Sequence, residues 1–227
     1  MADVIIVLGM HRGGTSAAMF ACHQLGVALG PPDTLMEPTP QNPDGYWEQW
    51  PIVRAQEGLL NRWGLQWDSD ADLPPDWLAR PETSATVQEL AAWIDATLAD
   101  QPIWGFKDPR TCRLVPLWEA LCATRGLTPH YLLVVRPLAE IVASLQAVDV
   151  LTHRRTDHTA ASYTALARRY LQEADTATVG RDRLVIRQAD LRADPAGTLR
   201  TLAAWLPHHP PVTVASITAL RQFGHPR

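Results

Sequence analysis

The stretch Val4-Ile5-Ile6-Val7-Leu8-Gly9-Met10-His11-Arg12-Gly13-Gly14-Thr15-Ser16 decides the fold. Its first five residues are all apolar and mostly β-branched, the pattern of a parallel strand buried on both faces. A glycine-bearing loop follows. The small and apolar residues from Thr15 to Leu25 then suit a helix that Gly26 can close. Where such a loop runs into a helix N-terminus, unpaired amides and the positive end of the helix dipole converge on one point and attract an anion. The spacing Gly9-x4-Gly14-Thr15-Ser16 is a Walker A pattern with one departure: Thr15 stands where that pattern has lysine. The loop carries a different cation, Arg12, inside it.

The alternation continues along the chain. Ile103–Lys107 reads as a short strand ending in Asp108-Pro109-Arg110, with a helix near Leu114–Thr124. His130–Val135 is a second strongly apolar strand and Leu138–Asp149 its helix. Leu184–Ile186 is a last short strand. Further helices are expected over Ile52–Trp63, His158–Thr176 and, capped by Asp194-Pro195, up to Leu206. Thr86-Val87-Gln88-Glu89 offers a capping box for a helix reaching about Leu98, unless Thr83 or Ser84 caps it earlier. Val212–Leu220 is a short apolar-periodic piece. Between the elements, the proline-dense stretch from Pro31 to Pro51 is expected to be an ordered loop or lid, because Trp47 and Trp50 need burial.

Strands alternating with helices predict one α/β domain over residues 1–227: a P-loop-like parallel sheet covered by helices on both faces. Ligands of such sheets sit at the carboxyl ends of the strands. Arg12, Lys107 and Arg136 all fall there.

Composition narrows the partners. The 227 residues carry a net charge of −4, so no global basic field draws nucleic acid or anionic membrane, and an anion site must be built locally. No apolar run approaches the ~20 residues of a membrane span. Asp3 before the first strand argues against a signal peptide. Cys22, Cys112 and Cys122 lack metal-ligand spacing and are expected as reduced, mostly buried thiols, with the cytoplasm as default compartment.

Arg12-Gly13-Gly14-Thr15-Ser16 resembles the 5′-phosphosulfate loop of sulfotransferases that use 3′-phosphoadenosine 5′-phosphosulfate (PAPS). A second segment, Val134-Val135-Arg136-Pro137-Leu138-Ala139-Glu140-Ile141-Val142-Ala143-Ser144, is similar to that family's 3′-phosphate motif, a strand-end arginine with a serine eight residues later. Gly105-Phe106-Lys107-Asp108-Pro109-Arg110 resembles the lysine-bearing strand end of its carbohydrate branch. The resemblance implies that Arg12, Gly13, Gly14, Thr15, Ser16, Arg136 and Ser144 bind the donor, with PAP as product. It implies that Arg12 and Lys107 act on the transferring group, without a metal. The acceptor, a small molecule or glycan, needs a general base. Glu48, after Tyr46-Trp47, is the first choice; Glu37, His11 and Asp108 are reserves, and His11 is also a candidate for structure or donor contact. Several family features are missing: Arg12 stands where the cytosolic enzymes have lysine, and Arg187-Gln188-Ala189-Asp190-Leu191 follows the late strand where an aromatic-acidic pattern is common. Ala17 stands where a tryptophan often stacks on adenine, and the C-terminal phosphate loop is reduced to Arg221-Gln222-Phe223-Gly224-His225-Pro226-Arg227, of which Arg221 is the expected contact. A P-loop kinase or hydrolase that replaced its lysine, and a non-catalytic PAP-binding module, remain alternatives. Neither the acceptor nor the oligomeric state is legible.

Overall fold

A computed structural model describes residues 2–152 and 157–224. At its centre is β1 (Asp3–Leu8), every residue from Val4 to Leu8 being fully buried. Burial of each such aliphatic side chain contributes roughly 1.5–3 kcal/mol. The strand pairs in parallel with β2 (Ile103–Lys107) on one side and β3 (Thr128–Val135) on the other. β4 (Arg183–Arg187) adds to β3, also in parallel, giving the order β2-β1-β3-β4 among the described residues. The chain leaves β1 for β2 on one side, and leaves β3 for β4 on the other. Such a sheet opens a crevice between the carboxyl ends of the two diverging strands, here after Leu8 and Val135. The Arg12 loop and Arg136 follow those two ends.

Alternation along β1 sends Val4, Ile6 and Leu8 into one core, Ile5 and Val7 into the other. The first core is closed by α2 (Trp50–Arg62), α3 (Pro81–Thr97), α4 (Thr111–Arg125), α5 (Leu138–Leu151) and α6 (Ala160–Thr178). The second is closed by α1 (Thr15–Gln24), α7 (Gln188–Ala193), α8 (Pro195–Trp205) and α9 (Val214–Gln222). The expected α/β sheet with both faces covered is therefore the fold observed. No described helix is long and apolar enough to cross a membrane.

Several boundaries differ from the sequence expectation. Helix α3 starts five residues before Thr86, on Pro81, whose missing N–H costs nothing in a first turn. The hydroxyl of Thr86 donates to the Glu82 carbonyl and that of Thr83 to the Trp77 carbonyl, so the Thr86 capping box does not form. Helix α4 starts at Thr111 rather than Leu114, because one turn precedes a break at Leu114 two residues ahead of Pro116. Helix α7, which directly follows β4, was not expected at all.

Candidate functional site

The loop between β1 and α1 is held from three sides. From below, the Gly9 amide donates to the Cys112 sulfur of α4 at 3.1 Å. Within the loop, the Gly13 amide donates to the Met10 carbonyl at 2.8 Å. From α7, the Gln188 side chain lies so close to Gly14 that an added Cβ would come within 2.3 Å of its Cγ. Gly14 also has φ 93°, so this position needs glycine both for its backbone and for its neighbour. It is the N-cap of α1, and no side chain caps that helix end. The first-turn amides are thus open to a ligand, as in an anion cradle.

Arg12 adopts φ 64°, a left-handed conformation that a non-glycine side chain holds only under constraint. The constraint is visible. Arg136 Nη1 donates to the Arg12 carbonyl at 2.8 Å, while Arg12 Nε donates to Ser144 Oγ at 2.9 Å and Nη1 to the Gln41 carbonyl at 3.1 Å. The two motifs, 124 and 132 residues apart at these contacts, therefore meet at one arginine. Burial pushes the Arg12 pKa down, the Tyr46 hydroxyl opposing this and neighbouring Arg136 adding to it. Arg136 also pairs with Glu140 through Nε at 3.0 Å. Ser16 donates to the Tyr46 carbonyl at 3.1 Å and accepts from Asn42, so the segment between Leu35 and Gln49 closes over the loop.

That segment also brings in the acid. Met36 N–H donates to the Glu48 carbonyl at 2.8 Å, and Gln49, buried beside it, donates to the Leu29 carbonyl at 2.5 Å. Glu48, fixed between these anchors, forms a buried ion pair with Lys107 at the end of β2. Burial raises the Glu48 carboxyl above the usual carboxylate range, and Lys107 pulls it part of the way back.

His11, Arg12, Gly14, Glu48, Lys107 and Arg136 line one cavity of about 400 Å³, together with Thr15 and Ser16. His11 packs its ring on Trp67 at 4.5 Å and near Tyr170 at 6.2 Å. The two remaining carboxylates named as reserve bases lie elsewhere. Asp108 is fully buried, accepts from the Arg110 amide and guanidinium at 3.0 Å each, and from Gln56 at 2.8 Å, so both its oxygens are occupied. Glu37 is exposed, accepts from Trp50 at 3.4 Å and does not line the cavity. Arg221 is exposed on α9 and does not line the cavity either, and His225, Pro226 and Arg227 lie outside the described residues. In their place the cavity wall has Gln188, Leu191 and Arg192 of α7, with Leu220, Phe223 and Gly224 of the C-terminal segment. No motif marks the three residues of α7, whose arrival depends on that helix packing against α1. Among the described residues, no cluster of His, Cys, Asp or Glu suits a metal ion.

No protein-family model matches the chain, and no curated protein does. Among solved structures, the sulfotransferase domain from the curacin biosynthetic pathway matches 98% of this chain and 78% of its own, with a TM-score of 0.55 and 13% identity. The chain has a sulfotransferase-like fold. At that identity the likeness concerns the course of the backbone, so the roles of side chains rest on the site's own geometry.

Proposed function

We propose that the protein is a PAPS-dependent sulfotransferase, moving a sulfonate group to a hydroxyl or amine of a small-molecule or glycan acceptor. The observation that carries this reading is the buried Glu48–Lys107 pair opening on the same cavity as a cradle that lacks the Walker lysine. A triphosphate-using enzyme needs a cation at Thr15. A sulfonate donor needs its cations further out, where Arg12, Lys107 and Arg136 stand.

The residues divide the work. Amides of the cradle and the Arg12 guanidinium hold the 5′-phosphate. Arg136 offers a planar fork, and Ser144 Oγ, already accepting from Arg12, keeps its own proton to donate to the 3′-phosphate. In the in-line displacement a bond forms from sulfur to the acceptor's oxygen or nitrogen while the S–O bond to the phosphate breaks, its electron pair staying on the departing PAP oxygen. Lys107 and Arg12 stabilise the charge that develops there. Glu48 takes the acceptor's proton on the oxygen that does not face Lys107. Because a sulfonate carries less charge than a phosphoryl group, these cations suffice in this reading without a divalent ion. Phe223, which lines the cavity as Ala17 does and stacks on Phe20 at 4.8 Å, is an aromatic surface for the adenine.

Calorimetry without metal should show clear PAP binding and little ATP binding; strict Mg²⁺ dependence, or equal affinity for both, returns the protein to the P-loop kinases and hydrolases. A screen of acceptor pools with radiolabelled PAPS then identifies the second substrate. PAP that binds tightly with no acceptor ever turned over would leave a binding module.

Arg136→Ala should weaken PAP by about ten- to a hundredfold, the worth of a charge-assisted hydrogen bond of roughly 1.5–3 kcal/mol. AMP, without a 3′-phosphate, should lose only the few-fold that follows from freeing the Arg12 carbonyl. Equal losses for both ligands would make Arg136 a support of the loop alone.

A further inference from the structure

Helix α7 gives the cavity a cation that no sequence motif supplies. It begins at Gln188, whose side chain rests on Gly14 of the cradle. One turn later, about 6 Å along the helix axis, Arg192 lines the same cavity. That advance from the cradle is on the scale of one ribose. Beside Arg192 lies Gly224: a Cβ built there would be 3.5 Å from Arg192 Nη2.

Its charge is uncommitted. Arg187 on the same stretch pairs with Asp190, and Arg136 with Glu140, but among the described residues no carboxylate pairs with Arg192. Arg136 also gives Nη1 to the Arg12 carbonyl, so part of its fork and part of its charge are already engaged. A phosphate monoester carries about −1.5 to −2 charges at neutral pH. One half-neutralised arginine and one serine hydroxyl leave such a group under-compensated.

We propose that Arg192 is the second cation of the 3′-phosphate subsite, in the role expected of Arg221; the inference rests on the PAPS reading of the cavity. The site then assembles its 3′-phosphate contacts from the ends of two strands, Arg136 following β3 and Arg192 on the helix that follows β4.

The test is calorimetric binding of PAP and of AMP, without turnover, to the native chain and to Arg192→Ala, Arg192→Lys and Arg221→Ala. Arg192 is exposed, so its truncation leaves the packing intact. The expected result is a roughly tenfold loss of PAP affinity in Arg192→Ala, the lower end for a charge-assisted contact at an exposed position. AMP affinity should stay at the native value, and Arg192→Lys should recover part of the loss. Unchanged PAP binding in Arg192→Ala overturns the proposal. So do equal losses for PAP and AMP, which would place the guanidinium on the base or the 5′ end, and so does a PAP loss confined to Arg221→Ala. A native protein that binds PAP no better than AMP removes the PAPS reading itself, an outcome visible before any variant is compared.

Discussion

Glu48→Gln should lose about 10²–10⁴-fold in turnover while keeping its affinity for PAP, the range for removing a positioned general base. The substitution keeps the shape and leaves an amide oxygen for Lys107, but removes the basicity. In the native protein the acid limb of the pH–rate profile should lie above the ordinary carboxylate range, because burial raises Glu48. Protonation disables the base, so turnover falls as the pH drops through that raised value, and the limb should vanish from the residual rate of Glu48→Gln. The complication is folding. Removing one partner of a buried pair leaves an unpaired charge and can destabilise by about 3–5 kcal/mol. The double variant Glu48→Gln/Lys107→Met separates the two effects, since it buries no charge: stability should recover while turnover stays low. A double variant that regains activity together with stability would show that neither Glu48 nor Lys107 takes part in the chemistry.

Lys107→Met should cost at least about 10²-fold in turnover, the scale of one preorganised donor aimed at developing charge. The ammonium stands at the end of β2, 4% exposed, on a strand paired through five registered residues with β1. Its position is therefore fixed by the sheet rather than by a loop. Loss of Lys107 also removes the attraction that holds Glu48 down, so the remaining carboxyl should titrate still higher. Arg12→Ala should show a similar fall in turnover, accompanied by weaker PAP binding because its guanidinium lies in the cradle. Near-native rates in both variants would take the leaving-group role away from this end of the cavity.

The sheet was legible because its strands are apolar runs with a cation at the exit: β1, β2 and β3 each end next to Arg12, Lys107 or Arg136. Period and position carry that information, and both are local. Glu48 was legible only as a carboxylate after two aromatics; its pairing with Lys107 comes from Gln49 anchoring the loop to backbone carbonyls 20 and 56 residues away. Asp108 shows the opposite case. Adjacent to Lys107 in sequence, it points into the core on the other side of the strand end, and its network with Gln56 and Arg110 could not be read from its neighbours. Helix α7 was invisible because no proline or glycine separates it from β4, and its cap, Arg187, offers no side-chain bond.

The bond from the Gly9 amide to Cys112 has an entropic meaning. Cys112 belongs to the first turn of α4, five residues after Lys107. Burial pushes its thiol up to about 12, so at neutral pH the sulfur is neither charged nor nucleophilic and acts as a passive acceptor. It ties the cradle after β1 to the turn after β2, and the intervening Asp108 is held by three hydrogen bonds from Gln56 and Arg110. Under the proposed function, the groups that would meet the donor's 5′ end and the lysine that would face the transferred group are thus parts of one connected block, and little ordering free energy should be lost when the donor arrives. Glu48 comes from a separate segment hung on hydrogen bonds. Under the proposed function, the ordering cost that remains would then fall on binding the acceptor rather than the donor.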